Sequence, residues 1–227
     1  MALDEATRLR EEDAHTEAWT AITETRLVAR RSRFEVDVNR DRERCVYQTP
    51  EDAWDLDLWA EPPSAELVAT SRREYDAFYD VLEGILRRTE AAFGAFVVLD
   101  LHSYNHRHRG PEGPPDDPAT HPDINVGTRT MYRDHWRPLI DRFVADLRAA
   151  ELPCGHLDVR ENVNFGGAHL PQWVHETFPE AGCALAIEVK KFYVDEHTGE
   201  LNRPMLDAVG EALASTVDGL LEEVRRL

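Results

Sequence analysis

The run Phe96-Val97-Val98-Leu99-Asp100-Leu101, with the histidine that follows it, constrains this chain more than any other stretch. Four consecutive apolar residues read as a strand buried on both faces. The strand ends in His102. A long loop, 102 to 130, then carries His106, His108, His121, Asp123 and Asn125 among several glycines and prolines. Side chains at the carboxyl ends of strands in an α/β sheet face the crevice where ligands bind. An imidazole on such a stiff end suits metal ligation; the alternative is a histidine that caps the strand and bonds to backbone. Alternation sets Asp100 on the same side as His102. There it can accept the second ring N–H, as an orienting carboxylate does.

A second apolar run, Cys183-Ala184-Leu185-Ala186-Ile187-Glu188-Val189, reads as another buried strand that Glu188 interrupts. A carboxylate among apolar neighbours is costly unless it is paired or functional. Burial lifts its pKa toward that of a useful general base. The structural alternative is an ion pair with Lys190, on the same face by alternation, or with Lys191, on the other.

Around these strands the chain reads as follows. Residues 3–12 form a short helix that delivers Glu11, Glu12 and Asp13. Segments 26–29 and 34–38 look like strands, the second alternating apolar and acidic residues. It ends in Asn39-Arg40, and Arg offers a planar fork suited to a carboxylate; pairing of Arg40 with nearby acids is the alternative. The Trp- and Pro-rich stretch 47–63 is a loop. Ser64 caps a long helix that Gly94 stops. Residues 131–150 and those from about 203 are amphipathic helices. Asn162 to His169 contains paired glycines and precedes helical residues, so it could present N–H groups to an anion. Strands alternating with helices make the class α/β, with helices on both sides of a mixed or mostly parallel sheet. No linker divides 1–227, so one domain is expected.

Composition narrows function. The 227 residues carry 44 acidic against 26 basic side chains, a net charge of −18. That field repels phosphate backbones, so no nucleic-acid partner is expected, and any anion site must be a local Arg or Lys cluster. Three scattered cysteines without a CxxC fit a reducing cytosol, hence a cytoplasmic protein. No apolar run is long enough for a bilayer, so no membrane association is expected. The acidic start is unlike a secretory signal.

Several segments together resemble the N-formylglutamate amidohydrolase family, which is related to the zinc carboxypeptidases. They are Arg10-Glu11-Glu12-Asp13, Val36-Asp37-Val38-Asn39-Arg40, Leu99-Asp100-Leu101-His102-Ser103-Tyr104, Pro122 to Thr128, Asn164-Phe165-Gly166-Gly167 and Ala186 to Lys191. The resemblance implies a phosphorylase/hydrolase-like, single-domain three-layer α/β sandwich with one zinc ion. It implies His102 and an acid of the 11–13 run, here Glu12 over Asp13, as metal ligands, and Glu188 as general base. Asn39 and Arg40 would hold a substrate carboxylate; Asn125, Gly166, Gly167 and His169 would line the pocket. The implied reaction is hydrolysis of a small N-acyl amino acid such as N-formyl-L-glutamate. A carboxypeptidase-like peptide amidase and a non-catalytic anion-binding relative are the alternatives. Family members carry an earlier histidine, in a His-x-Gly setting on a strand before the acidic run, which this chain does not contain.

Overall fold

The sheet is centred on its last strand, β6 (Gly182–Lys190), which is buried along nearly its whole length. The computed structural model describes residues 1–226. In chain order the strands before β6 are β1 (Phe96–Tyr104), β2 (Ile124–Gly127), the short hairpin of β3 (Glu151–Leu152) and β4 (Gly155–His156), and β5 (Val159–Glu161). The helices are α1 (Glu5–Glu11), α2 (Ala65–Phe93), α3 (Arg137–Ala149), α4 (His169–Thr177), α5 (Arg203–Ser215) and α6 (Val217–Val224). The main sheet has the order β1-β6-β2-β5. β1 runs parallel to β6 and β2 parallel to β5, whereas β2 and β6 are antiparallel. The sheet is therefore mixed and mostly parallel, as expected.

Alternation along β6 divides the core. Cys183, Leu185, Ile187 and Val189 pack into one cluster with Phe143 and Leu147 of α3, Val209 and Leu213 of α5, and Leu220 of α6. Ala184 faces the other way, toward Tyr75, Tyr79 and Leu82 of α2 and Val174 of α4. Helices thus cover both faces, giving three layers. The second face of β6 carries small residues, Ala184 and Ala186, before Glu188. That leaves room above the sheet where the first face is filled by Leu, Ile and Val.

The long helix follows its sequence signals closely. Ser64 Oγ accepts the Leu67 N–H at 3.2 Å, and Gly94 ends the helix at φ 84°. Other expectations are corrected. Segments 26–29 and 34–38 are not strands. The apparent alternation of 34–38 serves a turn instead. The N–H groups of Glu35 and Val36 both bond to the Ser32 carbonyl, and Asp37 N–H to that of Cys45. The Asp37 side chain is itself buried, accepting from Tyr47 Oη at 2.7 Å and from Asn39 N–H at 2.8 Å. β1 extends past His102 to Tyr104, and Val97 to Leu101 are only partly buried, because β1 lies at the edge of the sheet. β2 and β5 were hidden in loops by their shortness. The terminal helix divides at Thr216 into α5 and α6.

Candidate functional site

The candidate site forms where β1 and β6 run side by side. His102 is in register with Glu188, and Asp100 with Ala186. Residues directly opposite on neighbouring strands share a face, so imidazole and both carboxylates lie on the side where β6 carries its alanines. Across β6, Glu188 is also in register with Asn125 of β2.

A turn after α1 adds Asp13 to this face. Its Oδ1 accepts the Ser103 N–H at 2.6 Å, and its Oδ2 lies 3.3 Å from His102 Nδ1. On the far side of the ring, Asp100 Oδ2 stands 2.9 Å from Nε2, off the line of a good hydrogen bond, so the contact is one of charge. Burial opposes a charged imidazole, but the Asp100 and Asp13 carboxylates outweigh it and hold the His102 pKa well above its ordinary value. Burial likewise opposes ionisation of Asp13. The charge of His102, then Arg33, overcomes it and keeps the carboxyl far below the usual range. Glu188 goes the other way: burial dominates and lifts its pKa to about 7. Asp13 and Glu188 are thus moved in opposite directions, one held ionised and one poised near neutrality.

Asp13, Asp100 and His102 line a cavity of about 710 Å³, together with Arg33 and Asn39. The remaining wall is largely apolar, from β1 and from Phe78, Ile85 and Leu86 of α2.

The expected site residues are not all brought together. Glu12 also lines the cavity, but its Oε2 takes Arg8 at 2.7 Å, and it is Asp13 that meets His102. Arg40 is committed elsewhere. Its guanidinium stacks 3.6 Å over the Tyr47 ring and donates to the Asp52 carbonyl at 2.8 Å. Arg33, which no sequence pattern singled out, is the guanidinium of the cavity that meets the site, 3.6 Å from Asp13 and 3.0 Å from Asp37; Arg26 and Arg31 line the cavity elsewhere. Asn39 is a connector. Its amide nitrogen lies 3.0 Å from His102 Nε2 and its oxygen accepts the Leu170 N–H at 2.9 Å, satisfying an orphan donor of the first turn of α4. His169 opens α4, and its ring sits near Tyr75 and Tyr79. Neither Lys190 nor Lys191 takes Glu188 as partner. Lys190 pairs with Asp123 at 2.6 Å, and the buried Lys191 holds the carbonyls of Arg10 and Glu12, steadying the turn that carries Asp13.

Asn125 and the glycines build the turn next to Glu188; Glu188, Asn125, Gly166, Gly167 and His169 are not among the residues that line the cavity of about 710 Å³. The fully buried Asn125 side chain accepts the N–H groups of Val163 and Asn164 and donates to the Phe165 carbonyl. Gly127 lets this turn lie against β2, since a Cβ there would come within 2.5 Å of the Gly167 nitrogen. Gly167 itself adopts φ 99°. Asn125→Ala would leave buried N–H groups without an acceptor. It is expected to cost about 2–3 kcal/mol, read as a lower midpoint in urea denaturation.

The donors present bear on whether an ion fits. His102 Nδ1 and Asp13 Oδ2 face one another at 3.3 Å, close to the separation of two ligands on one zinc, roughly 3.3 Å from the usual bond lengths. Asp100 stands on the other ring nitrogen, where an orienting carboxylate belongs. This pair fits a divalent ion but supplies two protein donors where catalytic zinc normally takes three. Among the described residues, no third His, Cys, Asp or Glu completes a cluster with them.

A mixed sheet with helices on both faces thus carries an imidazole, an ionised acid and a neutral-poised acid on one of them. In fold the chain is similar to the crystal structure of N-formylglutamate amidohydrolase from Ralstonia eutropha JMP134 (TM-score 0.74, 20% identity, 99% of this chain and 87% of that one). It is also similar to a gene product of Agrobacterium tumefaciens (TM-score 0.52, 21% identity, 85% and 69%). No curated protein matches. The family model of N-formylglutamate amidohydrolase matches residues 1–194, and the chain belongs to that family of amidohydrolases. No helix among the described residues is long and apolar enough to cross a membrane.

Proposed function

We propose that this chain hydrolyses the amide of a small N-acyl amino acid, with N-formyl-L-glutamate the first substrate to try. The observation that supports it is the in-register pair of His102 and Glu188, with Asp13 on the imidazole and Arg33 beside it. His102 and Asp13 would hold a zinc ion, which when bound supplies Lewis acidity to water and carbonyl. Glu188, half-neutralised near pH 7, takes a proton from water and returns it to the leaving nitrogen. Asp100 keeps the ring of His102 oriented. Arg33 offers the guanidinium fork for the substrate's carboxylate, and the apolar wall of the cavity excludes water from the bound chain. A second reading, an anion-binding relative without turnover, is favoured by the two-donor set.

The test is release of amino acid from N-formyl-L-glutamate, other N-formyl and N-acetyl amino acids, and short peptides, with chelator-stripped and zinc-supplemented protein. Zinc-dependent release from the N-acyl amino acids supports the proposal. Tight binding of the same compounds without release supports the second reading, and cleavage of peptides alone would point to a peptide amidase. Within the first reading, Arg33→Lys keeps the charge but loses the fork. It is expected to raise KM about tenfold, the worth of one charge-assisted hydrogen bond, with kcat less affected. Arg40→Lys should change stability and leave KM in place.

A further inference from the structure

The long loop between β1 and β2 gathers a second set of ligand atoms, apart from the His102 cluster. His108 Nδ1 lies 2.5 Å from Asp116 Oδ2, and His121 Nε2 lies 3.6 Å from the same oxygen. One ligand atom from each of the three falls within 4.8 Å of the others. Three donors on a tetrahedral zinc-like ion stand roughly 3.3 Å apart, so side-chain shifts of about 1 Å would suffice.

A second observation comes from the opposite side of the His121 ring. Its Nδ1 lies 3.3 Å from the Asp117 carbonyl and 2.9 Å from Thr120 Oγ1. These contacts hold the ring with its Nε2 edge turned toward Asp116, so an ion placed between the two would find both donors already aimed at it. The backbone holds the arrangement: Asp116 N–H bonds to the His106 carbonyl at 2.8 Å, and His121 N–H to that of Asp117 at 3.0 Å. Asp116 and His121 are partly buried, and His108 closes over them from the exposed side.

We propose that His108, Asp116 and His121 form a binding site for a divalent transition-metal ion of the zinc kind, which clasps the loop 105–123. Two imidazoles and one carboxylate are donors for zinc, cobalt or nickel; calcium and magnesium take oxygen. The ion cross-links positions 108, 116 and 121 in a stretch that otherwise lacks helix or strand, the kind of long loop that needs a tie of its own. Its donors are separate from His102 and Asp13, so its role is to order the loop and not to take part in hydrolysis.

The experiment uses zinc alone, titrated calorimetrically into the chelator-stripped full chain. Limited trypsin cleavage at the exposed Arg109–Gly110 bond is followed in parallel. Zinc is expected to slow that cleavage in the wild type and in His102→Ala alike. His121→Ala and Asp116→Ala should each weaken this binding more than about tenfold, the floor for disturbing even an outer partner of a ligand, and abolish the protection. Both variants lie in an irregular loop, and their circular dichroism should match the wild type. Equal zinc binding and equal protection in His121→Ala and wild type would overturn the proposal. So would a wild type whose cleavage ignores zinc, or zinc binding and protection that both vanish in a folded His102→Ala. If His102→Ala does not fold, the comparison of the two loop variants with wild type decides by itself.

Discussion

Glu188→Gln is expected to lower kcat on N-formyl-L-glutamate by about 10²–10⁴-fold, the usual contribution of a positioned general base, while raising stability above neutral pH. The two effects have one cause. Burial lifts the carboxyl from its ordinary 4.5 to about 7, with His102 pulling it down and Asp13 and Asp100 pushing it up. A base with that pKa gives a kcat that climbs with pH and levels off above about 7. For stability the sign is reversed from the usual carboxylate. Below 4.5 Glu188 is neutral in both folded and unfolded chains and costs nothing by ionising. As pH rises past 4.5 the unfolded chain ionises first, so folding is progressively penalised until the folded group ionises near 7. The gap corresponds to about 3 kcal/mol, and the glutamine, which never ionises, escapes it. Turnover is read with zinc supplied, and melting on chelator-stripped protein at pH 5 and pH 8. A variant that keeps full turnover, or that is no more stable than wild type at pH 8, would remove Glu188 from the role of base.

The second large effect separates two adjacent acids. Asp13→Ala strips the partner from the Ser103 N–H and from two partly buried cations, His102 and Arg33. Losing such charge-assisted contacts costs about 1.5–3 kcal/mol. Glu12→Ala loses mainly a pair with Arg8 one helical turn away, worth at most about 1 kcal/mol. Zinc affinity should fall more than about tenfold for Asp13→Ala, beyond the loss of a mere outer partner, and little for Glu12→Ala. The pH dependence differs as well. The Asp13 carboxyl is depressed on folding, so its contribution is present above 3.8 and is lost as pH falls below that, toward its folded value. His102 is raised on folding, so its contribution is present below 6.5 and fades as pH climbs through its higher folded value. Asp13→Ala should flatten the acid limb of the stability curve, which urea midpoints followed from neutral pH down to about pH 2 would record. Equal losses at positions 12 and 13 would sink the assignment of Asp13.

Much of this was legible in one dimension because the signals are local. Four apolar residues before Asp100, six around Glu188, the Ser64 cap and the Gly94 stop each encode their own element within a few residues. The alternation that pairs Asp100 with His102 on one side of a strand is likewise a property of the chain alone. The turn at 32–38 misled for the same reason: its apolar–acidic rhythm matches a strand, yet Asp37 is buried where Tyr47, from beyond the turn, donates to it.

What the sequence by itself determined was the pair of strands, their charged residues and the family to which their wording belongs. The tertiary structure alone decided that Asp13 and not Glu12 meets His102, that Arg33 and not Arg40 enters the cavity, and that Asn39 joins His102 to α4. Those choices depend on where a turn, a stacked Tyr47 ring and the buried amine of Lys191 send each side chain. Such contacts link Arg40 to Tyr47 seven positions on, Asn39 to Leu170 across 131 positions and Lys191 to Glu12 across 179, and no local propensity fixes them.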